Sequence, residues 1–126
     1  MKTIKSTILA LSSMALFAFS SPEGAIALWT QTTIDLGQVE HNVPATATFE
    51  LTNDGDEPLI LTNVRPTCGC TVADYPRTPI QPGETVEITA QYDAKRIGRF
   101  RKTVSVTTNT EQSTYALVLQ GEVVEK

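Results

Sequence analysis

Ala45-Thr46-Ala47-Thr48-Phe49-Glu50-Leu51-Thr52 alternates without a break between an apolar and a polar residue. A β-strand turns successive side chains to opposite faces, so this stretch has one dry face and one wet face. Outward along the chain the same pattern returns twice. Val86, Ile88, Ala90 and Tyr92 alternate with Thr85, Glu87, Thr89 and Gln91. Tyr115, Leu117, Leu119 and Val123 share a parity with Gly121, against Thr114, Gln120 and Glu122. One-sided strands of this kind belong to antiparallel sheets packed through a single face. Their Thr and Val content agrees with strand propensity.

Less regular segments lie between these three. Ile34 and Leu36 mark a short strand ahead of Gly37, and Leu59 to Val64 another between Pro58 and Pro66. Gly98 to Thr108 is a long one with Phe100, Val104 and Val106 on one face. Lys102 falls on that apolar parity, which requires either a side chain that snorkels to the sheet end or a bulge that shifts the register. Thr71 to Tyr75 adds a short edge strand. Asn53-Asp54-Gly55-Asp56 reads as a hairpin-type connection, and Gln81-Pro82-Gly83-Glu84 as a type II turn with Pro at the second position and Gly at the third. No helical period appears. The expected fold is all-β, an immunoglobulin-like antiparallel β-sandwich of about seven strands. The Cys…Trp…Cys pattern of antibody domains is missing, since Trp29 is the only tryptophan and precedes both cysteines.

The first 27 residues read as a cleavable secretory signal peptide. Lys2 and Lys5 give a positive start, Ile8 to Phe19 an apolar run, and Ala25-Ile26-Ala27 a small-x-small processing site. The apolar run is shorter than the roughly 20 residues that span a bilayer. The expected division is thus a signal over 1–27 and one domain over 28–126, with no transmembrane segment in the mature chain. No cysteine precedes Cys68, which argues against a lipoprotein. The expected location is the periplasm or the extracellular space. Without residues 1–27 the chain keeps 8 basic and 13 acidic residues, so its net charge is 8 − 13 = −5. An acidic chain lacks the basic face that nucleic acid requires.

Cys68-Gly69-Cys70 is the one chemically pointed motif. In an extended strand the two thiols stand on the same face, and Gly69 allows the backbone to bend them closer. Three readings follow. One cysteine packs in the core while the other sits in a tight turn. The pair works as a redox dithiol, whose disulfide closes a very small ring. Or it holds Cu(I), which favours thiolates. Zinc fits poorly, because a closed structural site takes four ligands and the chain has two cysteines and one histidine. That histidine, His41, sits in a polar loop, and no Ser-His-Asp order, phosphate loop or HExxH pattern accompanies it. Lys95, Arg96, Arg99, Arg101 and Lys102 form a basic cluster. Lys95, Arg96, Arg99 and Arg101 are candidate contacts for an anionic partner, an envelope protein or polysaccharide; the alternative is a charged face that blocks edge pairing.

The run Pro58-Leu-Ile-Leu-Thr-Asn-Val-Arg-Pro-Thr-Cys-Gly-Cys-Thr71 resembles the signature of the DUF1573 family. Pro79 to Glu84, Gly98 to Lys102 and Thr108-Asn109 continue the likeness, which covers about Thr33 to Val123. The resemblance implies an exported bacterial protein with an immunoglobulin-like fold, similar to Hydin-type and major-sperm-protein-type domains. It implies no biochemical activity. The expected function is a non-catalytic binding or assembly module of the cell envelope, not an enzyme and without a cofactor. The alternative is a thiol redox or Cu(I)-binding protein acting through Cys68 and Cys70.

Overall fold

The computed structural model describes residues 24–125. Most of the expected signal peptide, residues 1–23, lies outside the described residues. Eight strands follow one another: β1 (Ala27–Trp29), β2 (Thr33–Glu40), β3 (Ala45–Asn53), β4 (Leu61–Pro66), β5 (Thr71–Asp74), β6 (Thr85–Tyr92), β7 (Gly98–Thr108) and β8 (Thr114–Val124). They form two four-stranded sheets, ordered β1-β3-β6-β5 and β2-β8-β7-β4. The sandwich is therefore as expected, with eight strands rather than about seven. Among the described residues no helix is long and apolar enough to cross a membrane.

The alternating segments supply the core. Phe49, Leu51, Ile88 and Ala90 face Val104, Val106, Leu117 and Leu119, and all eight are sealed from water. β3 pairs with β6 from Ala45↔Tyr92 to Thr52↔Thr85 without a shift, so both strands keep their dry faces aligned. Filling the space between two such faces is the main favourable contribution to a sandwich of this kind.

Two features depart from expectation. β2 pairs with β8 in parallel, with a register shift between Asp35 and Gln38, so the second sheet is mixed. Asn53 to Asp56 is no hairpin: β3 and β4 lie in different sheets, and the turn carries the chain across. The expected domain start at Leu28 falls inside β1, which pairs with Leu51–Asn53 along the edge of the first sheet. Asn53 anchors this corner. Its side chain is fully buried; Oδ1 accepts from the Ile26 and Gly55 amides, and Nδ2 donates to the Glu57 and Ile80 carbonyls. The Gln81–Glu84 turn has the expected form, with the Glu84 amide bonded to the Gln81 carbonyl at 2.9 Å and Gly83 at φ +82°.

β7 pairs with β8 in unbroken register from Gly98↔Val123 to Thr107↔Thr114. No bulge moves Lys102 off the inner parity, so snorkelling accounts for it. The same register sets Gly121 opposite Phe100. A Cβ on Gly121 would lie 2.6 Å from the Gly37 carbonyl oxygen and 3.0 Å from the Phe100 ring. The glycine lets the irregular part of β2 and an aromatic ring meet over β8. Gly121→Val is accordingly expected to lower the melting temperature well below that of Gln120→Val, whose side chain lies on the opposite parity. Equal melting temperatures in thermal denaturation would contradict this parity.

Candidate functional site

Where β4 ends, the chain crosses from the second sheet to the first through Thr67–Cys70. Both the Thr67 amide and its hydroxyl donate to the Thr103 carbonyl, at 3.0 and 3.1 Å, which ties the start of the crossing to β7. The Thr71 amide then returns to the Cys68 carbonyl at 3.2 Å, closing a turn over Cys68–Thr71. The Cys70 carbonyl accepts from the Asp93 amide at 3.0 Å, which ties the end of the crossing to the end of β6. The cysteines thus lie in a turn, not on an extended strand. Their Cα atoms are 5.2 Å apart and their sulfurs form a disulfide. The Cys70 amide donates to Cys68 Sγ at 3.2 Å. Both residues are half-buried, and Cys70 packs against the core. Gly69 is exposed; a Cβ there would meet nothing within 4 Å, and its φ is not left-handed. The structure offers no steric reason for glycine at this position.

Opposite this turn runs the β6–β7 loop, Asp93 to Ile97, bound to the β2–β3 loop. The Asn42 amide donates to the Ala94 carbonyl at 2.9 Å. His41 Nε2 bonds the Lys95 carbonyl at 3.1 Å, and Nδ1 lies 3.4 Å from the Asn42 side-chain nitrogen. A carbonyl only accepts, so Nε2 carries the proton and Nδ1 accepts. Asp93 Oδ1 accepts from the Lys95 amide at 3.2 Å. Asn42 and Ala94 both hold left-handed backbone, at φ 65° and 55°. Non-glycine residues reach that region at a cost of about 1 kcal/mol or more, so the two bonded loops hold each other in shape.

Between turn and loop lies a cleft of about 270 Å³, lined by Cys68, Cys70, Tyr92, Asp93, Lys95, Arg96 and Lys102. Lys102 reaches it because its parity is inward. Its ammonium stands 5.6 Å from the Tyr92 ring centroid, and Tyr92 in turn stacks on Phe100 at 4.3 Å. Three cations and one carboxylate surround a disulfide and an aromatic ring. Such a surface suits a ligand with an anionic group on an apolar body.

The basic cluster of the sequence is divided by the fold. Lys95 and Arg96 line this cleft, joined by Lys102. Arg99 and Arg101 alternate with Lys102 along β7 and face the other way, onto a concavity of about 500 Å³ shared with Asp35, Gln38, Gln120 and Glu122. Arg101 donates to Gln120 Oε1 at 2.8 Å, and Arg99 lies opposite Glu122. That larger concavity has two arginines against two carboxylates and no excess of charge. His41, a plain loop residue by its sequence, positions the loop that carries Lys95; its ring partner is a backbone carbonyl 54 residues away, which no local pattern announces. Among the described residues no group of three or more His, Cys, Asp or Glu side chains comes together as a metal site.

The disulfide closes a loop of only three residues, so its chain-entropy contribution is about 1.6 kcal/mol, well below that of a long-range bridge. Cys68→Ser is expected to lose about that much stability in thermal or denaturant unfolding. Cys70→Ser is expected to lose more, since Cys70 also packs on the core. Equal losses in the two variants would contradict the difference in packing.

A family model described as "Protein of unknown function (DUF1573)" matches residues 27–123. No curated protein matches the chain in sequence. Among solved structures, a protein of unknown function from Porphyromonas gingivalis W83 is similar at TM-score 0.71 and 21% identity, over 86% of this chain and 51% of that one. The chain thus spans about half the length of that protein. The ASH/PapD-like domain 7 of human CEP192 is similar at TM-score 0.67 and 12% identity, over 98% of this chain and 99% of the domain. The Vibrio cholerae VesB protease is similar at TM-score 0.61 and 11% identity, over 77% of this chain and 31% of the protease. At such identities the likeness concerns the fold alone, an immunoglobulin-like sandwich. With the family model covering both the cysteine turn and the basic loop, the chain belongs to the DUF1573 family.

Proposed function

We propose that this chain is an exported, non-catalytic binding and assembly module of the bacterial cell envelope, and that its recognition end is the cleft at Cys68 and Cys70. The observation that carries this reading is the convergence there of Lys95, Arg96 and Lys102 on one disulfide-closed turn, in a chain that is acidic as a whole. A local excess of cations on a negative molecule focuses the field at that end and steers an anionic partner toward it. The partner is an envelope protein that presents a carboxylate-bearing segment. β5, which follows the turn directly, is an edge strand with Val72 about two-thirds exposed, and it offers an extended segment backbone pairing beside the cleft. Its four residues keep such pairing short, which leaves the cleft to decide specificity.

A second reading keeps the cysteines as a thiol redox site. It is favoured by one observation, that both cysteines line the cleft beside three cations, where a thiolate would be stabilised. As a disulfide the pair offers no thiolate to a metal, so the Cu(I) form of this reading requires the reduced pair. Thiol titration with mass spectrometry on protein recovered from the periplasm distinguishes these states.

The binding reading is tested with two defined probes, poly-L-glutamate for an acidic polypeptide and polygalacturonate for an acidic polysaccharide. Lys95→Glu/Arg96→Glu is expected to weaken poly-L-glutamate binding several-fold and to flatten its salt dependence. Arg99→Glu/Arg101→Glu is expected to leave binding near wild type. Equal losses in both double variants would reduce the effect to net charge. Preference for polygalacturonate would move the partner from protein to polysaccharide.

A further inference from the structure

Ala25-Ile26-Ala27 has the residue types of a processing site, yet the fold uses each residue from Gly24 to Ala27. The Gly24 amide donates to Asp56 Oδ1 at 2.8 Å, and its carbonyl accepts from the Asp56 amide at 3.0 Å. The Ile26 amide donates to Asn53 Oδ1 at 3.3 Å, and its carbonyl accepts from the Asp54 amide at 2.9 Å. Ala25 and Ala27 pack against the core, and Ala27 pairs with Asn53. Cleavage after Ala27 would remove all four residues, Gly24 to Ala27, and strip two partners from the turn that follows β3. It would also open one side of Asn53, whose buried side-chain oxygen would lose an amide donor. Buried polar groups left without partners cost free energy, so such a product would be the less stable one.

Gly55 gives a second and independent sign. A Cβ there would overlap the Gly24 carbonyl oxygen and the Ile26 amide nitrogen. Its φ is not left-handed, so no turn geometry demands glycine at this position. What demands it is the backbone of residues 24–26 lying directly against it. A chain that began at Leu28 would have no such neighbour.

We propose that the signal peptidase site is the Ser20–Ser21 bond and that the mature chain begins at Ser21. This rests on the export reading above. Between Phe17 and Gly24, Ala18 and Ser20 are the only residues two apart that are both small and not proline, as the enzyme's −3 and −1 pockets require. Water hydrolyses that peptide bond, leaving the new carboxylate on Ser20 and the new ammonium group on Ser21. Three residues, Ser21-Pro22-Glu23, then precede Gly24.

The test is the intact mass and first residue of the protein recovered after expression of the full chain in a bacterial host. Ser21 as the first residue is the expected result, with Ala18→Gln accumulating the unprocessed precursor. Leu28 as the first residue would overturn the inference and leave the export reading standing. Met1 as the first residue would overturn the reading of a cleavable signal, and this inference with it. Gly55→Ala is expected to lower the melting temperature of the mature protein. A melting temperature equal to wild type would overturn the placement of residues 24–26 against Gly55.

Discussion

Phe49, Leu51 and Ile88 from one sheet join Val104, Val106, Leu117 and Leu119 from the other in one core, each buried from solvent. This contact fixes the parity of every strand that contributes to it, because a slip of one residue would turn a whole dry face outward. β7 feels the constraint most. Its unbroken pairing with β8 keeps Phe100, Lys102, Val104 and Val106 on one side and Arg99 and Arg101 on the other. The core therefore decides which basic residues meet the cysteine turn. Lys102 is drawn in toward the Tyr92 ring, while its two arginine neighbours are sent to the opposite face.

The cysteine end is built from connections rather than strands. Three loops meet there, and each is held by backbone bonds to another part of the chain: Thr67 to Thr103, Cys70 to Asp93, Asn42 to Ala94. The disulfide adds a local constraint within one of them. Two left-handed non-glycine residues in the facing loops show that this end tolerates backbone cost for the sake of shape. A shaped and cationic end on an acidic sandwich is what supports the proposal of a binding surface.

How much of this is legible in the sequence follows from physical range. β3, β6 and β8 announce themselves because one face is buried along their whole length, which writes period two into the residues. Gly121 is legible for the same reason: a gap on a dry parity signals a close neighbour. The start of β1 is hidden because Ala25-Ile26-Ala27 has the residue types of a processing motif, although its last residue opens the strand. The parallel pairing of β2 with β8 leaves no mark, since parity does not encode strand direction. The cysteine pair is visible as chemistry, but its turn is not. That turn depends on bonds to Thr103 and Asp93, far along the chain. The basic cluster looks like a unit because its residues are close in sequence. In a strand, adjacent residues belong to different faces, and the cluster divides accordingly.

Site-specific photo-crosslinking in intact cells tests the central claim most directly. A photoreactive residue is placed at Arg96, beside the cleft, and separately at Glu111, in the β7–β8 turn. The account predicts a discrete crosslinked product from position 96 and none from position 111. A product from position 111 alone, or the same products from both, would contradict recognition at the cysteine end.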